Sequence, residues 1–239
     1  MKALIGHTGF VGSNLSNQTT FDKFYNSKNI ESIAGEKFKL IVCAGVSSVK
    51  WKANKDPKRD FTQIQRLINN IEKTRFEKII LISTIAVYDT PADNAYGQNR
   101  LYLETYLKNK YENVFIVRLP SLFGTGLKKN AIYDLLHKKT EFLPHQESTF
   151  QYYCLDNLWN DVDIMQREKI NSLNICSEPI LFEEVLKIFD SDYICTDPDR
   201  IVHENMLSKH ANCWGKAGMY LYNRAEIVGD LQRFIEKNG

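Results

Sequence analysis

GHTGFVG, at residues 6–12, follows directly on the apolar run KALI at residues 2–5. A strand that passes through glycines into a helix leaves free backbone N–H groups and the positive end of the helix dipole facing one point, where phosphate binds. Glycine allows the tight turn and lets a pyrophosphate approach the backbone. The spacing of Gly6, Gly9 and Gly12 differs by one residue from the dinucleotide pattern G-x-G-x-x-G, so an ordinary glycine-rich turn is the alternative.

The bulk composition is that of a globular protein. With 239 residues the chain can bury a full core, as one domain or as a domain with a smaller lobe. A hydrophobic fraction of 43% and a charged fraction of 25% argue against disorder. The net charge of +2 gives no electrostatic reason to expect nucleic acid or an anionic membrane as a partner.

Cysteine and histidine usage argues against disulfides and metals. The five cysteines are widely spaced and contain no C-x-x-C pair, and the five histidines show no metal-ligand spacing, so we expect no metal and a reducing, cytoplasmic location. The first strand begins at once, so we expect no signal peptide. The longest aliphatic run, IILI at residues 79–82, is too short to span a bilayer.

Strand-like and helix-like segments alternate along the first half of the chain. Apolar patterns predict strands at Thr19–Tyr25, Phe38–Ala44, Lys78–Ser83 and Val114–Arg118. Helices are predicted at residues 10–18, from Asp56-Pro57 to about Thr74, and at Ala95–Lys110. This alternation predicts an α/β fold with a parallel sheet and helices on both faces.

The pattern is looser after Pro120. We predict a helix ending near His137, strand-like segments at Thr149–Leu155 and Ser172–Cys176, and a helix from Asp156 or Asn157 to Arg167. A last helix is predicted to start at Asn223, with Glu226 three residues later in the register of a capping box.

Six short motifs occur in a characteristic order. They are GHTGFVG at 6–12, CAG at 43–45, STIAVY at 83–88, YGQNR at 96–100, RLPSLFG at 118–124 and NICSEP at 174–179. From residue 1 to about residue 180 the chain thereby resembles the extended short-chain dehydrogenase/reductase family, the NAD(P)-dependent sugar-nucleotide epimerases, dehydratases and reductases.

This resemblance implies a Rossmann-type doubly wound parallel sheet with a small C-terminal substrate lobe. Within a single domain spanning residues 1–239, it implies a dinucleotide-binding core at 1–120 and 150–178. A small substrate-binding lobe with the terminal helix would comprise 121–149 and 179–239.

The resemblance also implies that Thr84 and Tyr96 form the hydroxyl pair that acts on a sugar carbonyl or alcohol. Hydride transfer at a carbon that bears oxygen requires a proton to move on that oxygen, and a phenol beside a cation can give or take it. Thr84 would orient the substrate oxygen. The alternatives are a surface tyrosine at a helix start and a threonine that caps a strand end.

The family has lysine four residues after the tyrosine, whereas this chain has Arg100. A free tyrosine has a pKa of ~10, so ionising it near neutral pH costs about 4 kcal/mol. A unit charge ~4 Å away at an effective dielectric constant of ~20 supplies about that much. Arginine cannot release a proton and holds ribose hydroxyls differently from an ammonium group, so we predict a slowed proton relay.

The same resemblance implies a set of cofactor-binding residues in three groups. The glycine loop contributes Gly6, Thr8, Gly9, Phe10, Val11 and Gly12; the segment after the second strand contributes Asn26, Ser27, Lys28, Asn29 and Ile30, with the last two beside the adenine; later strand ends contribute Cys43, Ala44, Gly45, Ser83, Pro120 and Ser121.

The choice between NADP and NAD rests on the segment after the second strand. An acidic residue about 20 positions after the first glycine would indicate NAD by bonding the ribose hydroxyls, but no carboxylate occurs at residues 26–28. We therefore favour NADP, with Ser27 and Lys28 at the 2′-phosphate; the alternative for Lys28 is an ordinary solvated lysine. NAD stays possible through Asp22 if the second strand ends early.

Several positions depart from the family pattern. The loop between Tyr88 and Tyr96 is short, and Gln63 stands where the family has an asparagine that helps bind a water. The dehydratase branch has Asp-Glu after the threonine, so the Ile85-Ala86 pair argues against a dehydratase. Thr149-Phe150 stands where an arginine commonly binds the diphosphate; Lys128, Lys129 and Arg200 are candidate replacements.

Lys50 and Trp51 follow the third strand at the edge where parallel sheets bind ligands. Trp51 could stack on a sugar or base and Lys50 could hold an anion, or Trp51 could pack on the core. His7, in the glycine loop, is interpreted as a packing residue.

The sequence thus predicts an NAD(P)-dependent reductase or epimerase that acts on a keto or hydroxyl group of a nucleotide-linked sugar, for surface polysaccharide synthesis. The alternative is a dinucleotide-binding sensor or assembly protein that has lost catalysis. Because the lobe after Pro120 is small, the pocket is expected to be shallow or to be completed by a second copy in a homodimer.

Overall fold

The computed structural model describes residues 1–89 and 94–238. The described chain divides into two compact units. The first unit comprises Met1–Leu119 and Leu158–Leu173, and the second comprises Pro120–Asn157 and the chain from Asn174 onward. The second segment of the first unit is thus shorter than the predicted 150–178, because the strand at 152–154 pairs within the second unit.

The first unit is built on a sheet with helices between its strands. Its strands are β1 (Lys2–Ile5), β2 (Lys23–Tyr25), β3 (Lys37–Cys43), β4 (Arg75–Thr84) and β5 (Val114–Leu119). Its helices are α1 (Phe10–Gln18), α2 (Lys50–Lys55), α3 (Pro57–Ile71), α4 (Ala95–Lys110) and, later in the chain, α6 (Leu158–Arg167). Strand β9 (Ser172–Asn174) completes this sheet.

The described strands of this sheet follow the order β2-β1-β3-β4-β5-β9. Strands β1 to β5 pair in parallel, and Ile5 at the end of β1 lies opposite both Tyr25 and Cys43. The carboxyl ends of β1, β2 and β3 therefore meet at one edge of the sheet. The predicted α/β fold is confirmed.

The interior of the sheet explains why these runs are strands. All six residues of β5 are buried, as expected for a central strand covered by helices on both faces. The apolar side chains of α3 at Ile64, Leu67, Ile68 and Ile71 are buried in the same core. Each fully buried aliphatic side chain of this kind contributes about 1.5–3 kcal/mol.

β4 begins three residues before the predicted Lys78 and α3 ends at Ile71 and not near Thr74, and two further differences in the first unit are larger. β2 begins only at Lys23, because the preceding Asp22 carboxylate accepts a hydrogen bond from the backbone N–H of Lys2. A separate helix, α2, precedes α3, and Asp56 caps α3 by accepting a hydrogen bond from the N–H of Arg59.

The second unit has its own small sheets and core. Strands β6 (Ser121–Phe123) and β8 (Tyr152–Cys154) pair in parallel, and β7 (Thr149–Phe150) and β10 (Ile180–Leu181) pair in antiparallel fashion. Helices α5 (Ala131–Leu136), α7 (Phe182–Ile188) and α8 (Arg224–Asn238) pack around Phe123 and Phe182. The predicted strand Thr149–Leu155 is thus two strands, separated by the fully buried Gln151.

The last helix begins as the sequence predicts. The backbone N–H of Asn223 donates to Glu226, and the N–H of Glu226 donates to Asn223 Oδ1, which is a capping box. Across the residues that the structure describes, none of the helices combines the length and apolarity needed to cross a membrane.

Candidate functional site

The glycine loop joins β1 to α1, and its backbone leaves no room for a side chain at Gly6 or Gly12. Gly6 has a φ of +90°, and a Cβ there would lie 2.3 Å from the carbonyl oxygen of Ala44. A Cβ on Gly12 would lie 2.1 Å from the carbonyl oxygen of Gly6. These close approaches form a cradle of tightly packed backbone at the first turn of the helix, in which only glycine fits.

The start of α1 is electrostatically suited to an anion. Gly9 is the N-cap, no side chain caps the helix, and the first turn contains no acidic residue. The first N–H groups of a helix have no intrahelical partner and sit at the positive end of its dipole. The loop, with Thr8, Phe10 and Val11, therefore fits the phosphates of a dinucleotide.

The turn after β2 is organised by two asparagines. Asn26 Oδ1 accepts a hydrogen bond of 2.8 Å from the N–H of Lys28, and Asn29 Oδ1 accepts one of 2.7 Å from the N–H of Asn26. Ser27 and Lys28 are exposed, whereas Ile30 is buried. His7 contacts this turn through Asn26 Nδ2 at 3.2 Å, in agreement with a packing role.

Asp22 does not lie at this turn. It precedes β2 and accepts its hydrogen bond from Lys2, the first residue of β1, at the amino end of the parallel strands. Gly6 follows the opposite end of β1. Asp22 is therefore excluded as the carboxylate that would bond a ribose held at the glycine loop, and that alternative from the sequence is wrong.

The segment after β3 closes against the glycine loop. The N–H of Ala44 donates to Ile5, and a Cβ on Gly45 would lie 2.8 Å from a methyl group of Ile5. Cys43 is fully buried, and burial raises the pKa of its thiol to about 11. Its side chain is a neutral core group, so only its backbone remains for a ligand.

A small cavity of about 20 Å³ opens beside this segment, which is room for about one water molecule. Its lining includes Gly45, Ser47, Asp60 and Gln63. Gln63, which the sequence resemblance aligned with an asparagine that helps bind a water, lies at this water-sized space.

The first turn of α4 is pressed against the turn that follows β4. A Cβ on Gly97 would lie 2.1 Å from the carbonyl oxygen of Ala86, and Asn94 Nδ2 donates to the same oxygen at 2.6 Å. Thr84 Oγ1 accepts a hydrogen bond of 3.2 Å from the N–H of Ala86 and so caps this turn. The structure therefore brings the Thr84 turn and the Tyr96 turn together.

Tyr96 is 9% exposed and is held from two sides. Its backbone N–H donates to Asn54 Oδ1 of α2 at 2.9 Å. Its ring packs with Ala53 and Ala86, and the guanidinium carbon of Arg100 lies 3.8 Å from the ring centroid. Tyr96 is thus an ordered side chain and not the exposed surface tyrosine of the alternative interpretation.

Arg100 is 3% exposed and is fixed by an ion pair with Asp60 of α3. Nη1 donates to Asp60 Oδ2 at 2.5 Å and to the carbonyl oxygen of Tyr96 at 3.0 Å. Nη2 donates to Asp60 Oδ1 at 3.0 Å and to the carbonyl oxygen of Ser47 at 2.6 Å. Nε is buried and has no partner among the described residues.

A second buried ion pair lies one turn further along α4. Glu104 is 1% exposed, accepts a hydrogen bond of 2.6 Å from the Ser83 hydroxyl and pairs with Arg118 of β5. Nη1 of Arg118 donates to the Tyr88 hydroxyl at 2.5 Å. Burial is the largest single effect on Arg118 and lowers its pKa, but the hydrogen bonds to Glu104 and the negative charge of Glu104 together outweigh it, so the pKa is raised.

Sequence reasoning missed Asp60, Glu104 and Arg118. A signal for Asp60 was present, because it lies four residues before Ile64 and so on the apolar face of α3, where an unpaired carboxylate would be costly. For Ser83, predicted to bind the cofactor, the structure shows a hydroxyl that is engaged by Glu104.

Trp51 does not pack in the core. It is 64% exposed on α2, with Lys52 Nζ 5.4 Å from its ring centroid. Lys50 pairs with Asp89 at 2.9 Å.

The remaining predicted residues belong to the second unit. Pro120 is buried, Ser121 opens β6, and their contact with a cofactor stays a prediction. Arg200 donates to the carbonyl oxygen of Leu143, and Lys128 is exposed. Burial lowers the pKa of Lys129.

The comparisons with known proteins identify the fold through solved structures. No protein-family model matches the chain, and no curated protein sequence matches it. Solved structures do match. Over 98% of this chain and 96% of the other, the UDP-N-acetylglucosamine 4-epimerase of Methanobrevibacter ruminantium in complex with UDP-N-acetylmuramic acid superposes with a TM-score of 0.74 at 13% identity.

Two reductases are similar to the same degree. The dTDP-4-dehydrorhamnose reductase of Yersinia enterocolitica has a TM-score of 0.71 at 15% identity over 100% of this chain and 99% of the other. That of Bacillus anthracis, in complex with NADP, has a TM-score of 0.72 at 13% identity over 99% and 97%. The fold is thus the one that the sequence resemblance implied.

Proposed function

We propose that this chain is an NAD(P)-dependent oxidoreductase or epimerase that acts on a keto or hydroxyl group of a nucleotide-linked sugar. The observation that carries the proposal is the placement of Thr84 and Tyr96 beside the carboxyl end of β4, at the edge of the sheet where β1 enters the glycine loop. Open parallel sheets bind their ligands at this edge.

The cofactor assignment rests on the glycine cradle. The close approaches at Gly6 and Gly12 and the acid-free first turn of α1 suit a pyrophosphate. A bound nicotinamide dinucleotide would supply or accept the hydride. We favour NADP because Ser27 and Lys28 are exposed after β2 and Asp22 is directed elsewhere.

The chain itself would manage the proton and the substrate oxygen. The Tyr96 hydroxyl is the group that gives or takes a proton at the carbon–oxygen bond that reacts. Thr84 Oγ1 already accepts a hydrogen bond from Ala86, so its own hydroxyl hydrogen is the part left to donate to a substrate oxygen. The buried Nε–H of Arg100 is a donor for a ribose hydroxyl or a water.

The second unit, from Pro120 to Asn157 and from Asn174 onward, is proposed to bind the sugar nucleotide. The known structures that share this fold over the whole chain include proteins named for nucleotide sugars. A role in surface polysaccharide synthesis, a cytoplasmic location and a homodimer belong to the same proposal.

One observation favours a second candidate function, a dinucleotide-binding sensor or assembly protein. Asp60 pairs with Arg100 and neutralises its positive charge, which would otherwise assist proton transfer at a catalytic tyrosine. Such a chain would retain the cofactor site without turnover.

A titration and a turnover assay test the two. NADPH and NADH are titrated into the purified chain by fluorescence. Turnover is then followed with a nucleotide-sugar panel, defined as dTDP-4-dehydrorhamnose, UDP-N-acetylglucosamine and their reduced or epimeric counterparts. Cofactor oxidation or epimerisation supports the enzyme, binding without turnover on the panel supports the sensor, and failure to bind either dinucleotide contradicts both.

A further inference from the structure

The buried pair of Asp60 and Arg100 changes the electrostatics expected from sequence. The sequence places one cation, Arg100, one helical turn after Tyr96. The structure adds a carboxylate, Asp60, that meets the same guanidinium through two hydrogen bonds of 2.5 Å and 3.0 Å. With both side chains buried, the group that stacks on the Tyr96 ring carries no net charge.

We infer that Asp60 is a positioning residue which fixes Arg100 on the Tyr96 ring and cancels its charge, so that Tyr96 is held as a phenol that can donate its proton. This inference rests on the proposed function and adds a residue to it. An isolated positive charge beside a phenol stabilises the phenolate, which is the base that alcohol oxidation requires. A neutral pair removes that stabilisation and leaves the phenol, which is the acid that carbonyl reduction requires.

The step balances without a further reactant. The Tyr96 hydroxyl gives its proton to the carbonyl oxygen of the substrate while the carbonyl carbon receives hydride from the reduced nicotinamide. The product is an alcohol, and Tyr96 regains its proton from water.

The geometry explains why Arg100 cannot turn away from Asp60. Four of its five N–H groups bond within the described residues, to Asp60, Tyr96 and Ser47. A planar guanidinium in this position matches the carboxylate fork, which an ammonium group does not. Arg100, at the position where the family has lysine, and the buried Asp60 therefore act together as one ion pair.

Other charged groups on the elements that pack near Tyr96 have their own environments. α2 carries lysines on exposed positions, of which one pairs with Asp89 and one lies over Trp51, and the turn after β4 carries a tyrosine bonded to Arg118. These groups are Lys50, Lys52, Lys55 and Tyr88. Solvent screens the exposed lysines, so Asp60 and Arg100 dominate the field at the ring.

The first test measures ionisation directly, without turnover. Tyrosinate absorbance is titrated with base in the parent chain and in Asp60→Asn, and the signal of Tyr96 is obtained from each by subtracting the matching chain that also carries Tyr96→Phe. In Asp60→Asn the positive charge of Arg100 has no counter-charge. We therefore expect tyrosinate formation at Tyr96 to begin at a lower pH in this variant than in the parent, and we call the pH at which it begins the Tyr96 onset. Equal onsets overturn the role of Asp60.

A matched control comes from the same helix. Glu104→Gln also removes a buried carboxylate that pairs with an arginine, but its partner is Arg118, and among the contacts of the described residues it is Arg100 and not Arg118 that stacks on the Tyr96 ring. Its Tyr96 onset is expected to equal that of the parent. A shift as large as in Asp60→Asn would show that any buried charge change acts on Tyr96 and would contradict the proposal.

A double variant keeps the proposal testable if Asp60→Asn does not fold. Asp60→Asn combined with Arg100→Gln replaces one neutral pair by another, so the Tyr96 onset is expected to match that of the parent. An onset at higher pH in the double variant would show that Arg100 acts as a net positive charge in the parent and would overturn the inference.

Turnover then tests the proton transfer. The pH dependence of ketone reduction and that of alcohol oxidation are followed with the nucleotide-sugar panel in the parent and in Asp60→Asn. In Asp60→Asn the pH at which oxidation reaches half of its maximum rate is expected to fall by as many pH units as the Tyr96 onset moves. An unchanged pH dependence in Asp60→Asn overturns the inference alone, whereas absence of dinucleotide binding overturns the proposed function as well.

Discussion

At the scale of the residue, the partner of a side chain matters as much as its identity. Arg100 and Tyr96 occupy the spacing that sequence reasoning identified, but the charge of Arg100 is shared with Asp60 at hydrogen-bonding distance. Glu104 and Arg118 likewise form a buried pair that no motif indicated. Polar groups buried to this extent must be paired, and the pairing is set by side chains far apart in sequence.

Replacement of Tyr96 by phenylalanine tests its proton transfer. Loss of a positioned acid or base costs roughly 10²- to 10⁴-fold, so we expect turnover with the nucleotide-sugar panel to fall by this factor while dinucleotide affinity is retained. Steady-state kinetics and a dinucleotide titration measure the two quantities. The control is Tyr102→Phe, on the same helix but 41% exposed, which should leave both unchanged. Equal turnover in the Tyr96 variant would remove Tyr96 from the mechanism.

Replacement of Arg100 by lysine tests the buried pair. Lysine retains the charge but not the planar fork, and it leaves the Ser47 carbonyl oxygen without its 2.6 Å donor. We expect the free energy of unfolding to fall by about 1–3 kcal/mol, measured by urea denaturation. Arg59→Lys, at an exposed position on α3, should change it little. If turnover and its pH dependence are unchanged in the lysine variant, Arg100 has no catalytic role.

At the scale of the element, local sequence was most informative where a helix or strand has a strong boundary signal. α4 spans Ala95–Lys110 as predicted, and the capping box of Asn223 and Glu226 forms as predicted. β2 is shorter than predicted because the Asp22 side chain bonds to Lys2, a contact between chain segments that periodicity does not contain. α2 was missed because Lys50–Lys55 has only one buried residue, Ala53, and so lacks an apolar stripe.

Gly12 tests the element that forms the cofactor cradle. In Gly12→Ala the added Cβ would lie 2.1 Å from the carbonyl oxygen of Gly6, so the loop must move. We expect a loss of about 1–3 kcal/mol in stability and a weaker affinity for the dinucleotide, measured by thermal unfolding and by titration. Gly229→Ala is the control, because it lies in the interior of α8 and its Cβ would lie 3.4 Å from a flexible arginine side chain.

The control itself has a defined expectation. Alanine is favoured over glycine in a helix interior by about 0.5–1 kcal/mol, so Gly229→Ala should be slightly more stable than the parent. Unchanged dinucleotide affinity in Gly12→Ala would show that the glycine loop does not hold the cofactor.

At the scale of the whole molecule, ion pairs at the surface make stability depend on pH. A hydrogen bond from Arg66 lowers the pKa of Glu31, and one from Lys110 lowers that of Glu72. For Glu226, burial is the largest single effect and raises the pKa, but the hydrogen bonds from Lys216 and from the backbone of Asn223, together with the charge of Lys216, outweigh it, and the pKa is again lowered. These carboxyl groups bind protons more weakly when folded than when unfolded.

Acid is therefore expected to favour the unfolded chain. The stabilisation is complete above the unfolded pKa of 4.5 and is lost as pH falls through the lower folded values. We expect Tm to fall below about pH 4.5 and to fall less steeply in high salt, because these pairs are exposed and screened. Thermal melts over a pH series measure this, and a Tm that stays constant or rises on acidification would contradict it. The variant Glu72→Gln should reduce the slope.

The sequence by itself determined the parallel α/β fold, the position of the glycine loop and the spacing of Thr84, Tyr96 and Arg100, because these depend on hydrophobic periodicity and on backbone geometry within a few residues. Tertiary structure decided which charges meet: Asp60 with Arg100 across 40 residues, Glu104 with Arg118, and Asp22 with the amino end of β1. Such pairs form because helix and sheet packing brings these side chains together and removes water from them. No local sequence pattern predicts which side chains become neighbours in this way.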